Sequence, residues 1–149
     1  MTRPAILFAA NPDADHLPDF RQGSISAHIK EIKNRGSVNW NLKRNASLTD
    51  DLPDYYYDIR KGYIYYVKDR AVSYKCKINW IKRGDELSEE DYDFTPDWRR
   101  LDVDAGWIVL NIGQFSRLKT WSLCSEFTRY PTGSHLTTDY IRNYVIVEE

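Results

Sequence analysis

Two cysteines, one methionine, no apolar run near the ~18 residues that span a bilayer and a net charge of only −1 leave this chain of 149 residues with few obvious handles. Cys76 and Cys124 cannot make a disulfide framework, and neither belongs to a CxxC pair or a Cys/His cluster, so no stapled fold and no metal site is expected. The absence of a long apolar run excludes a spanning helix, and no membrane partner is expected. Residues Met1 to Phe8 have too short an apolar stretch and no small-residue cleavage region for a signal peptide, so a cytoplasmic location is expected. There is no Gly-rich phosphate loop, internal repeat or low-complexity tract. His16, His28 and His135 are widely spaced, none lies near a Ser or Cys nucleophile motif, and each is read as solvated or capping.

What the chain has in excess is aromatic surface. Five Trp, eleven Tyr and five Phe exceed what one core of this size needs, which places some of them at a surface site. Length and an ordinary balance of 42% apolar and 29% charged residues predict a single domain over residues 1–149. The small net charge also hides a division. Residues 20–83 carry fourteen Lys/Arg against six Asp/Glu, whereas residues 84–106 carry two against nine. One face can therefore be basic without the protein being so.

Ala5 to Ala10 reads as a buried first strand ended by Asn11-Pro12-Asp13. Ser24 or Ser26 caps a helix whose Ile25, Ile29 and Ile32 form one stripe, with Gly36 as its stop. Ser37 to Asn41 makes a small strand at most, and Leu42 to Asp54 a polar loop. Tyr63 to Val67, the turn Lys68-Asp69-Arg70 and the alternation Val72, Tyr74, Cys76, Ile78, Trp80 predict a β-hairpin with one buried face. Gly84 to Pro96 is an acidic ordered loop. Trp107 to Ile112, Trp121 to Phe127 and Tyr144 to Val147 read as strands, and Thr138 to Arg142 as a short helix. The expectation is an α+β domain on a curved or closed sheet, a β-barrel with flanking helices.

Enzymatic patterns are weak. Pro18-Asp19 with Glu31-Ile32-Lys33 matches the PD...ExK order of metal-dependent nucleases. That chemistry needs Glu and Lys on one side of a strand, whereas here both fall in the striped helix, about 200° apart around its axis. The acidic run Asp85 to Asp91 lacks the glycine turn and alternating ligands of an EF-hand. No catalytic residue, metal ligand or cofactor is assigned, and a small ASCH-like or metal-dependent nuclease is kept only as the alternative from another class. A protein-interaction module using exposed tyrosines is a third possibility.

The tryptophans divide by their surroundings. Tyr74 and Trp80 fall on the apolar face of the hairpin, and Trp107 and Trp121 in strands, so all four are read as core. Trp40, between Asn39 and Asn41, and Trp98, between Asp97 and Arg99, continue no apolar period. Two tryptophans from separate loops would form a slot for a nucleobase, and stacking is worth ~1–3 kcal/mol per base. In this reading both can be truncated at little cost to the fold.

The order of these features resembles the YTH/EVE branch of the PUA-like superfamily, whose members hold modified nucleobases in an aromatic cage. The resemblance rests on Ile6 to Asp13, on the helix leading to Val38-Asn39-Trp40-Asn41, on the hairpin from Gly62 to Trp80, and above all on Asp97-Trp98-Arg99 followed by Gly106-Trp107-Ile108-Val109. It implies that Trp40 and Trp98 are cage walls, that Asn11, Asp13, Asn39 and Asn41 read the base edge, and that Trp107 is structural. A third cage residue would come from Tyr55, Tyr56, Tyr57 or Phe94, while Lys43 and Arg44 beside the slot contact the backbone. It further implies a non-enzymatic reader that flips a base out of methylated DNA, N6-methyladenine first, with RNA N6-methyladenosine as the alternative. Similar domains target McrB-like restriction proteins, in which a separate GTPase motor and nuclease act, so such a fused or associated partner is expected.

Overall fold

The computed structural model describes residues 2–10, 23–42, 52–104 and 107–149. Six strands, β1 (Pro4–Ala10), β2 (Val38–Leu42), β3 (Lys61–Tyr66), β4 (Ala71–Arg83), β5 (Ile108–Ser122) and β6 (Tyr144–Glu148), form one mixed sheet in the order β2-β5-β4-β3-β1-β6. Only the β1/β3 pair is parallel. With helix α1 (Gly23–Arg35) and the short helices α2 (Glu89–Tyr92) and α3 (Arg100–Asp104), the fold is α+β.

The sheet is not closed into a barrel, which corrects that part of the expectation, but it is strongly curved. β2 and β1 are four strand spacings apart in the sheet order, about 19 Å if the sheet were flat at ~4.8 Å per strand. Yet the rings of Phe8 on β1 and Trp40 on β2 lie 5.2 Å apart. One cluster accordingly gathers residues from all six strands, including Phe8, Trp40, Ile64, Ile78, Leu110 and Ile146, and Ile25, Ile29 and Ile32 of α1 pack on it. The opposite face of β1 is also buried: Ala5 and Leu7 join Tyr65, Val72, Cys124, Leu136 and Ile141 in a second cluster. A strand covered on both faces reads as a continuous apolar run, as Ala5 to Ala10 does.

Gly36 ends α1 as expected. Its φ of 86° is left-handed, and its N–H donates to the Ile32 carbonyl at 2.7 Å. Elsewhere the ladder departs from the simple alternation. β4 is paired with β5 through several register shifts, and between Ile78 and Trp80 two residues of β4 face Asn111 alone. Such a bulge reverses the side-chain parity of the residues beyond it. Cys76 and Ile78 are buried, but the next buried residue is Ile81, and Trp80 turns out of the core to lie under the Lys82 ammonium at 5.0 Å.

Three further expectations are corrected. β5 continues to Ser122 because its polar half pairs with the first half of β4, and Cys124–Glu126 is a 3-10 turn, so Trp121 to Phe127 is not a separate strand. Trp121 is 46% exposed beneath the Arg117 guanidinium rather than in the core. Thr138 to Arg142 is not helical, and the Thr138 hydroxyl accepts from the Tyr140 N–H, a local bond that competes with a helix.

Both sheet edges are blunted by chain. The Asn39 N–H of β2 donates to the Phe94 carbonyl at 2.9 Å, and the Glu148 N–H of β6 to the Thr128 carbonyl at 2.8 Å. The cover over β2 begins at Gly84, whose missing side chain is required: a Cβ there would meet the Val103 carbonyl oxygen at 2.1 Å. Gly84→Ala should cost about 1–3 kcal/mol in urea unfolding, the range for overpacking. Gly113→Ala, where the nearest atom is an amide nitrogen at 3.5 Å, should cost clearly less.

Candidate functional site

On the concave side of β2 the Trp40 indole is 3% exposed and is held on three sides by rings. Phe8 meets it edge-on, Phe115 of β5 lies nearly parallel at 6.4 Å, and His28 of α1 stacks on it at 4.1 Å with planes 24° apart. The same imidazole stands edge-on to Trp98 at 5.9 Å. The two tryptophans are thus brought together, but the space between them is filled by His28, which is completely buried. That corrects its solvated or capping reading, and the signal was in the sequence: position 28 follows Ile25 by three and precedes Ile32 by four, inside the stripe.

The outward side chains of β2 are amides, and they are not free. Asn79 Nδ2 donates to Asn111 Oδ1 at 2.8 Å, Asn111 Nδ2 donates to Asn39 Oδ1 at 2.9 Å, and Asn39 Nδ2 donates to Thr95 Oγ1 at 2.9 Å and to the Asp91 carbonyl at 2.8 Å. This chain of amides crosses β4, β5 and β2 and fastens the acidic segment to the sheet. Asn39, Asn111 and Thr95 are all buried, so each pairing removes a desolvation cost of about 1–3 kcal/mol. Asn41 Nδ2 donates to the Arg99 carbonyl at 2.9 Å, and its Oδ1 is buried with no partner among the described residues. The amides proposed as readers of a base edge thus place the backbone on either side of Trp98. Of the other residues expected near the slot, Asn11, Asp13, Lys43 and Arg44 lie outside the described residues.

Trp98 itself is half-buried, in a 3-10 turn leading into α3. Its Nε1 has no hydrogen-bond partner among the described residues. The ring lines a cleft of about 430 Å³ together with Glu31, Arg35, Asp97 and Arg100. Two arginines and two carboxylates make this cleft nearly neutral. Arg35 lies over the Phe94 ring at 5.1 Å, and Arg100 pairs with Asp97 at 3.2 Å while covering Tyr92. Tyr55 and Tyr56 belong to a different cluster, ring to ring with Tyr130 and Tyr144. Of the residues considered for a third wall, Phe94 stands beside a lining residue of this cleft, while the Tyr57 hydroxyl donates to the Glu86 carboxylate. Trp107, expected to be structural, is half-buried and holds the segment through its backbone, accepting from the Gly84 N–H and donating to the Asp102 carbonyl.

Among the described residues no three His, Cys, Asp or Glu side chains gather closely enough to hold a metal ion. Burial pushes the Cys76 thiol far up and the Cys124 thiol up to about 11, so neither supplies a thiolate at neutral pH. No family model, curated protein or solved structure matches the chain.

Two measurements check this anatomy. Because Trp40 is core rather than a loop wall, Trp40→Ala should destabilise the fold by ~3–5 kcal/mol, read from urea or thermal unfolding. A variant as stable as wild type would show that the ring is not packed. The second concerns the anchor at Asp91, whose carboxylate meets the Lys82 ammonium at 2.6 Å. Burial alone would raise this carboxyl, but hydrogen bonds from Lys82 and from the Ser88 N–H outweigh it and hold Asp91 below the usual range. A folded value below the unfolded ~3.9 means stability that is present above that pH and lost as pH falls through the folded value. Asp91→Asn should be less stable than wild type at neutral pH, with the gap closing below about pH 4.

Proposed function

We propose that this chain is a PUA-like nucleic-acid-binding domain that captures a modified base at Trp98, with N6-methyladenine in DNA as the leading ligand. The observation that carries the reading is the Trp98 indole: a half-exposed aromatic face on a nearly neutral cleft, supported edge-on by a buried imidazole. A flat apolar wall accepts the π-face of any base, and a neutral cleft suits a methylated base, which brings no charge. The curved six-stranded mixed sheet, open rather than closed into a barrel, is loosely compatible with a PUA-like fold.

In this reading Trp40 is not the opposing wall. It is the floor that fixes His28, and His28 fixes Trp98. Arg35 and Arg100 stand where guanidinium groups can pair with phosphates flanking the captured nucleotide. The base reaches the cleft only by leaving its stack, at a cost of a few kcal/mol that is smallest for unpaired or mismatched positions. The domain then serves as the targeting module of a modification-dependent restriction system, with motor and nuclease on other domains or subunits.

The test is equilibrium binding to matched oligonucleotides with and without one N6-methyladenine, as single strands, duplexes and mismatched duplexes, in DNA and in RNA. Trp98→Ala, checked to be folded at the assay temperature because it also uncovers His28, should weaken binding to the methylated strand by about 1–3 kcal/mol. Affinity should be higher for the single strand and the mismatch than for the perfect duplex. Equal affinity for methylated and unmethylated strands, or a Trp98→Ala variant that binds as wild type, defeats the proposal. Preference for the RNA series would move the ligand to N6-methyladenosine.

A further inference from the structure

A second opening lies away from Trp98, where β5 is bulged against β4. Lys77 pairs with Gly113 and Lys75 with Ser116, so β5 carries one extra residue over this step, and Gln114 takes a φ of 48°. The opening has a volume of about 420 Å³ and is lined by Arg60, Lys61, Lys75, Lys77 and the half-buried ring of Phe115, with Glu149 also on its wall. Four cations against one acidic side chain make it the reverse of the Trp98 cleft.

Lys61 lies over the Tyr63 ring at 5.0 Å, but no carboxylate neutralises these cations in the ion pairs of the described residues. Lys61 and Lys77 are directly opposed across β3 and β4, a like-charge pair that weakens a sheet unless an anion lies between. Lys75 and Lys77 are exposed, and none of the three lysines takes part in an ion pair among the described residues. Arg60 is held in place by the Tyr57 and Ile59 carbonyls, both bound through Nη1. Phe115, in turn, is the ring that lies parallel to Trp40. An aromatic surface set among uncompensated cations fits a strand of alternating phosphates and bases.

We propose that this groove is a second nucleic-acid contact, in which Arg60, Lys61, Lys75 and Lys77 hold consecutive phosphates of a single strand and Phe115 stacks one of its bases. The proposal rests on the reading of the ligand as a nucleic acid. It moves the principal backbone contact from Lys43 and Arg44 to the β3–β4–β5 surface. A duplex does not fit it, because a paired base cannot present its face to Phe115. Phosphodiester chemistry is common to DNA and RNA, so both belong in the test.

The experiment is fluorescence anisotropy with a labelled oligonucleotide, as DNA and as RNA, each with and without one N6-methyladenine, across a salt series. Wild type is compared with Lys75→Gln/Lys77→Gln and with Phe115→Leu, each shown to be folded by circular dichroism. Losing two phosphate contacts should flatten the salt slope by about 1.4, so the wild-type advantage over the double variant shrinks about sevenfold between 50 and 200 mM salt. Methylated and unmethylated strands should lose affinity equally. Phe115→Leu should weaken binding roughly fivefold or more, the lower end of one stacking contact.

A double variant with wild-type affinity and slope overturns the groove even where methyl preference persists, and an unaffected Phe115→Leu overturns the stacking. Loss in the variants without any methyl preference in wild type keeps the groove and sinks the modified-base reading. No binding to any strand sinks both.

Discussion

An edge strand buried on both faces has to satisfy its polar groups without water, and β2 is such a strand: all five residues from Val38 to Leu42 are buried. Its inward side chains, Trp40 and Leu42, complete the core, while its outward ones, Asn39 and Asn41, have only other parts of the chain to bond. The acidic segment after Gly84 therefore lies across this edge as a cover. Its attachment points are Asp91 and Thr95 on one side of Trp98 and Arg99 on the other. A tryptophan clamped one residue from a hydrogen-bonded carbonyl, with an imidazole at its edge, is set in place before any ligand arrives. Preorganisation of that kind lowers the ordering cost of binding.

The legible parts of the sequence were those in which local chemistry and tertiary environment agree. The first strand, the isoleucine stripe with its glycine stop and the central hairpin all follow from periodicity, since their partners lie on the same faces. The buried role of Trp40 did not, because its flanking asparagines look like loop residues until partners more than fifty residues away supply their hydrogen bonds. Asn111, a polar residue inside the apolar run from Ile108 to Ile112, was the one local hint of that network. Trp80 defies its periodicity for a different reason. A single extra residue at Asn79 inverts the alternation, and nothing in the strand's own pattern announces it.

Charge obeys the same logic. The basic excess over residues 20–83 is partly cancelled by the acidic segment folded beside it: Lys82 pairs with Asp91 and Arg83 with Asp85. Those contacts lie at the far end of β4. Toward its middle, Lys75 and Lys77 meet no such partner among the described residues, so part of the basic character that survives folding lies on the β3–β4–β5 surface. Sequence arithmetic gives the excess but not its address, since cancellation depends on which strand end the acidic segment reaches.

Trp40 touches both candidate contacts, His28 toward the Trp98 cleft and Phe115 toward the basic groove. A buried indole packed among Phe8, His28 and Phe115 has one arrangement in a close-packed core, not two. Coupling between sites requires an element with two states that each ligand favours differently, and this junction offers none. What it offers is fixed spacing. On the proposed reading, a strand held at the groove would raise the effective concentration of its own bases at Trp98 by tethering, which would strengthen capture without any change of protein shape. Cooperation between the two proposed contacts would therefore reside in the length of nucleic acid that spans them, and it would vanish for a ligand too short to reach both.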